Sequence, residues 1–210
     1  MSTGLRRFTA ASPRPASTAE ERCGLCGAIA GSGHRHLVDI ERRSIVCSCT
    51  ACSLLFTRPG GRYQTVPDRV CRDPSAPLTE AEWAELRIPV AIAFFFVNSA
   101  LDRVVASYPS PAGVTECELD LAAWDRVAAA HPLLRALVPD VEAILVVGSS
   151  PGMARAGDGI ETFLVPIDMC YSLAGALRLN WHGFDGGSEV RHILETFLAD
   201  LRGRAANWQT

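Results

Sequence analysis

The chain has 210 residues, 48% hydrophobic and 20% charged, with a net charge of −3; that length suits one domain, or one domain plus a small module, and that balance excludes a disordered or membrane-embedded chain. All twenty basic residues are arginine. A Walker A phosphate loop, Schiff-base chemistry and protein-kinase chemistry each need a lysine, so all three are excluded.

In chain order, residues 1–21 are rich in Ser, Thr, Ala and Pro and read as a mobile arm. The arm holds a twin arginine, Arg6-Arg7, but no apolar segment follows it, so no export signal is expected and the chain is placed in the cytoplasm. Clustered cysteines there point to metal or redox chemistry rather than disulfides. They begin at once: "CGLCGAIAGSGHRHLVDIERRSIVCSCTAC" runs from Cys23 to Cys52 with five of the eight cysteines. Within it "HRHLVDI" and "RRSIVC" predict two short strands joined through Glu41-Arg42. Residues 57–77, broken by Pro and Gly, predict a connector with an edge strand around Arg62 to Val66.

A larger unit, 78–205, follows. Thr79 and Glu82 form a capping box for a short helix ended by Pro89. The apolar run Ile88 to Val97 is about half the length needed to span a bilayer and predicts a buried strand. "RVVASYPSP" and "VTECEL" predict strands flanking a Pro-Ser-Pro-Ala-Gly turn. Asp120 caps a helix, "LAAWDRVAAAH", which Pro132 stops. "VEAILVV" and "IETFLVP" predict a strand pair, and Asp168 a cap for "MCYSLAGALRLNW", helical in its first half and strand-like in its second. Val190, Ile193, Leu194, Phe197, Leu198 and Leu201 share one face of a final helix that starts at Gly186-Gly187. The order predicts an α+β fold: a small zinc-ribbon-like Cys module (22–56) followed by a largely antiparallel sheet with packed helices.

Two Cys-x2-Cys turns bring four thiolates onto one ion. Here they are Cys23, Cys26 and Cys49, Cys52, separated by 22 residues, slightly more than is usual. Gly24 and Gly27 suit a tight knuckle whose amides point at sulfur. Cys47, two residues before Cys49, shares its face on a strand. It is a packing cysteine, a fifth or substitute ligand, or a redox-active or cluster-bridging thiol. His34 and His36, also two apart, can supply a Cys3His set, although polar hairpin positions explain them better. A four-sulfur set takes zinc, with iron or an iron–sulfur cluster as the alternative.

"VVGSSPGM" places Gly148-x-Ser150-x-Gly152 after a strand, with Asp168 and His192 in hydrolase order. The residue after the nucleophile must donate its N–H to the oxyanion, and Pro151 has none. A serine hydrolase is therefore rejected. Arg178, Trp181 and His182 are candidates for a pocket or partner surface; Cys71, Cys117 and Cys170 are isolated thiols. No active site emerges.

Charge divides the chain. Residues 1–77 carry eleven arginines against six acids, a balance of +5, and residues 78–210 carry nine against seventeen, a balance of −8. Two parts with different surfaces follow. A basic metal module can touch nucleic acid, but +5 spread over a long tail argues only weakly for it.

The motifs "CGLCG…HRHLVD…VCSCTACSLLF", "RYQTVPDRV", "IPVAIAFFF", "YPSPAG" and "FLVPIDMCY…G…LR…W…GG" resemble an actinobacterial family of unknown function over residues 22–203. The resemblance implies an accessory or maturation role beside uptake nickel–iron hydrogenases. It makes Cys23, Cys26, Cys47, Cys49 and Cys52, with His34 and His36, part of one motif, and it carries no catalytic assignment. The expectation is a metal-binding accessory protein whose partner is a hydrogenase subunit or its maturation machinery, more a binding protein than an enzyme. The alternatives are an electron-transfer or cluster-handling protein and a nucleic-acid-binding ribbon.

Overall fold

Two sheets carry the chain. The computed structural model describes residues 20–58, 60–148, 159–183 and 186–208. Arg6-Arg7, the arm up to residue 19, and Ser150, Pro151 and Gly152 lie outside the described residues.

The first sheet has three antiparallel strands in the order β2-β1-β3: β1 (Arg35–Asp39), β2 (Ser44–Ser48) and β3 (Tyr63–Thr65). The β1–β2 hairpin sets His36 opposite Cys47 and Leu37 opposite Val46. A short helix, α1 (Thr50–Leu55), follows β2 directly. Arg62 closes the sheet onto the hairpin turn: its guanidinium donates from Nε and Nη2 to the buried Asp39 carboxylate, at 2.8 Å from Nη2 to Oδ2. That forked pairing, with the Arg42 backbone N–H, holds the Asp39 carboxyl below its usual range.

The second sheet has seven strands in the order β10-β4-β9-β8-β5-β6-β7. They are β4 (Cys71–Arg72), β5 (Ile92–Asn98), β6 (Arg103–Ser110), β7 (Gly113–Cys117), β8 (Glu142–Val147), β9 (Glu161–Pro166) and β10 (Ala206–Asn207). Every neighbouring pair is antiparallel except β10 with β4. The expected mixture of helix and largely antiparallel sheet is thus present.

Helices cover both faces of this sheet, which is why its central strands are apolar throughout rather than alternating. On β5, Phe94 and Phe96 point to one core and Ala93 and Phe95 to the other. The first core is completed by α5 (Ile167–Asn180), α6 (Gly187–Arg204) and by Val38 and Val66 from the region of the small sheet. The second is completed by α3 (Leu121–Ala130) and α4 (Pro132–Arg135), with Trp83 of α2 (Glu80–Glu85) packed against it. The small sheet is therefore packed into the same buried cluster as the long one.

The expected caps form at Thr79, where the capping box is complete, and at Asp120, which accepts from the N–H groups of Ala122 and Ala123. Pro132 stops α3 and also opens α4 at its first turn, a position that tolerates a missing N–H. The region after Asp168 differs from expectation in two ways. It is helical to Asn180, with no strand, because Leu173, Ala174 and Leu177 continue one buried helical face. Asp168 does not cap it either. Pro166 holds the cap position, and the Asp168 carboxylate accepts instead from a histidine of the small sheet.

Candidate metal centre

The first cysteine turn is a closed loop before it is anything else. Gly27 N–H donates to Cys23 O and Cys23 N–H to Ala28 O, each at 2.8 Å. Gly27 sits at φ +75°, which favours glycine. Gly24 N–H donates to Cys47 O at 2.8 Å, so the knuckle is pinned flat on β2. A Cβ at Gly24 would lie 2.4 Å from Val46 Cγ1, so this approach requires a glycine. The second turn is the start of α1: Cys49 takes the N-cap position and Cys52 lies in the first turn.

These two turns bring the sulfurs of Cys23, Cys26, Cys49 and Cys52 within 4.8 Å of one another. The Cys26 and Cys49 sulfurs are 3.7 Å apart. A tetrahedral ion with metal–sulfur bonds of about 2.3 Å sets its ligands about 3.8 Å apart. All eight cysteines are free thiols. The four therefore form a group that can hold a metal ion, and their spacing fits one.

Electrostatics in the group are set by backbone amides. Burial opposes ionisation of Cys23, but the N–H groups of Cys49, Cys26 and Leu25 turned toward its sulfur outweigh it, and the thiol is lowered to about 6. Cys52 is the opposite member. Its S–H is held by the Cys26 and Cys49 sulfurs, and its thiol is pushed up to about 12. One sulfur is thus prepared as a thiolate by the fold, and the others are held close to it.

Cys47 lies elsewhere. Its sulfur falls in a second group, with His34 and His36, whose ligand atoms also lie within 4.8 Å of one another. His36 bonds through Nδ1 to Asp168 Oδ2 at 2.7 Å, across 132 residues of sequence. That bond, with the burial that opposes it, raises the imidazole above its ordinary value. Sequence reasoning named Asp168 as a helix cap and missed its pairing with His36. Its helix position was legible, but nothing in the chain pairs it with the small sheet.

Of the softer candidates, Trp181 Nε1 donates to Gly183 O and His182 Nδ1 bonds Asn180 O, both within their own turn. Arg178 lies in the last turn of α5, and Cys170 is buried inside that helix. A cavity of about 550 Å³ between the two sheets is lined by Val38, Ile45, Phe96, Val114, Ile167 and Tyr171, among others. No helix among the described residues is long and apolar enough to cross a membrane.

Fold and site together define an α+β protein with an N-terminal four-cysteine group able to hold a metal ion. The chain belongs to the family of unknown function DUF5947, which matches residues 22–205. That match carries neither an actinobacterial origin nor a link to hydrogenases. No curated protein and no solved structure matches the chain.

Proposed function

We propose that this protein is a zinc-binding accessory protein that works by protein–protein contact, with the ion holding the contact surface in shape. The carrying observation is how few apolar side chains of the N-terminal region are buried. Among residues 20–58 the buried hydrophobic side chains are Cys23, Leu37 and Val38 alone. Burial of three side chains is a poor substitute for a core, and a four-thiolate ion supplies folding energy directly. The thiols use all four positions of a tetrahedral ion, which suits a structural role. Cys47, the residue that argued for cluster chemistry, groups with two histidines instead.

The contact surface lies beside the centre. Leu54 and Leu55, which follow Cys52 on α1, are 67% and 74% exposed, and Ile29 beyond the first knuckle is 54% exposed. Apolar side chains this exposed around a metal turn suit a partner protein. The partner we name is a nickel–iron hydrogenase subunit or its maturation machinery, on the strength of the motif resemblance alone, and the place of action is the cytoplasm.

Metal analysis and a visible spectrum of anaerobically purified protein test the ion. Zinc without visible absorption is expected; iron with thiolate-to-iron bands overturns this reading in favour of electron transfer. Co-purification with separately expressed hydrogenase subunits tests the partner. Leu54→Ser with Leu55→Ser should abolish it at unchanged metal content, and an intact chain that binds none of the subunits refutes the assignment.

A further inference from the structure

We propose that His34, His36 and Cys47 form a second metal site, a two-nitrogen, one-sulfur set for an exchangeable divalent transition ion. It is separate from the four-cysteine centre, which is complete without Cys47, and it does not depend on the function proposed above.

The site follows from the β1–β2 register. His36 and Cys47 are direct partners across the hairpin, and His34 immediately precedes β1. The two imidazoles meet edge to face with centroids 4.8 Å apart. An ion bound at about 2.0–2.3 Å by two imidazoles and a thiolate needs its donor atoms roughly 3.3–3.6 Å apart. One donor atom from each of the three already lies within 4.8 Å of the other two.

Both imidazoles are also oriented as metal ligands are. His36 Nδ1 is bonded to Asp168 Oδ2 at 2.7 Å, and His34 Nδ1 lies 3.2 Å from both Gly31 O and Glu21 Oε2. With each Nδ1–H donated to an oxygen, the lone pair of each ring sits on Nε2. A ligating histidine is typically held this way, by a carboxylate or a carbonyl behind it.

An independent observation points to the ligand. The His34 side chain is only 8% exposed, and its Nε2 is buried with no hydrogen-bond partner among the described residues. Asp168 Oδ1 is a second buried acceptor without a partner among the described residues. A buried acceptor of this kind calls for an ion, a water or a ligand. Two of the three ligands, His34 and His36, line a cavity of about 190 Å³ with Asp168 and Asp68, although Cys47 does not. Three protein ligands leave a fourth position open. An ion with an open position exchanges more readily than one closed by four thiolates.

The donor set selects a borderline ion, zinc or a neighbouring late first-row metal, over calcium or magnesium. Binding displaces the Cys47 proton to solvent, and the thiolate bonds the ion.

The full-length chain, stripped of metal and titrated with Zn²⁺, should bind two equivalents, one removed quickly by a mild chelator and one retained. His34→Ala, His36→Ala and Cys47→Ser should each leave one equivalent, the retained one. Asp168→Asn should keep two equivalents at saturation but weaken the exchangeable one about 10–100-fold. The intact protein loaded with ¹¹³Cd²⁺ needs no variant: two well-separated resonances are expected, one for four sulfurs and one for two nitrogens and a sulfur. Saturation of the wild type at one equivalent lost in Cys49→Ser, or two equivalents kept in Cys47→Ser, overturns the proposal. A single equivalent lost in Cys47→Ser but kept in Cys49→Ser would instead uphold this site and refute the four-thiolate one.

Discussion

Replacing Arg69 by methionine should be among the most damaging single changes in the protein. Arg69 sits between the small sheet and β4, where the chain crosses from one sheet to the other. Its Nε and Nη2 donate to Glu142 at 2.5 and 2.7 Å, and Nη2 also reaches Ala136 O. Glu142 is fully buried; besides Arg69, the Val138 N–H donates to it at 2.7 Å. Arg69→Met keeps an aliphatic stem but removes the guanidinium that lies over the Trp208 ring, and it leaves the carboxylate with one donor and no counter-charge. Removing one member of a buried pair costs about 3–5 kcal/mol. For a chain of this size that is a fall in Tm of roughly 6–20 °C. Glu142→Gln should cost less, about 1–2 kcal/mol, since it keeps an acceptor for Val138 and frees an arginine that is already 40% exposed. Urea melts of both single variants and the double variant measure the difference, with the double closer to wild type than Arg69→Met is. Arg69→Met costing under about 1 kcal/mol, or less than Glu142→Gln, would refute the view that this pair holds the crossing.

Two further outcomes are expected. Gly24→Ala should destabilise the first knuckle by about 1–3 kcal/mol and weaken metal binding, because its Cβ meets Val46 Cγ1, and Val46→Ala in the same chain should restore most of the loss in a competitive chelator titration. Glu82 faces a burial penalty but accepts from Thr79 N–H and Oγ1 and bonds His131, so its carboxyl is lowered from 4.5 to about 2. Its contribution is whole above the ordinary value and lost as pH falls through the folded one. Glu82→Gln should therefore cost about 1 kcal/mol at neutral pH, and the gap to wild type should close on acidification toward about 2. A gap that stays constant across that window, in denaturant melts at several pH values, would show that the carboxylate charge is irrelevant.

Much of this protein is local and was legible in the chain. The two Cys-x2-Cys turns, the hairpin between them, the caps at Thr79 and Asp120 and the face of α6 each depend on residues within a few positions of one another. Spacing and periodicity report such features directly. The strand tendency assigned to the end of α5 was wrong for the complementary reason, since burial of Leu173 and Leu177 against the sheet outweighs local preference there.

What the tertiary structure decided is the partition of the ligands. From sequence, Cys47 shares a strand face with Cys49, and its role stays open between packing, ligation and redox chemistry. Strand pairing sets it opposite His36, and the packing of α5 on the small sheet brings Asp168 behind that histidine from 132 residues away. Sequence alone therefore picked out Cys23, Cys26, Cys49 and Cys52 as the set able to hold an ion. Only the register of one hairpin and the docking of one helix grouped Cys47 with His34 and His36, because contacts made across sheets leave no periodic trace in the chain.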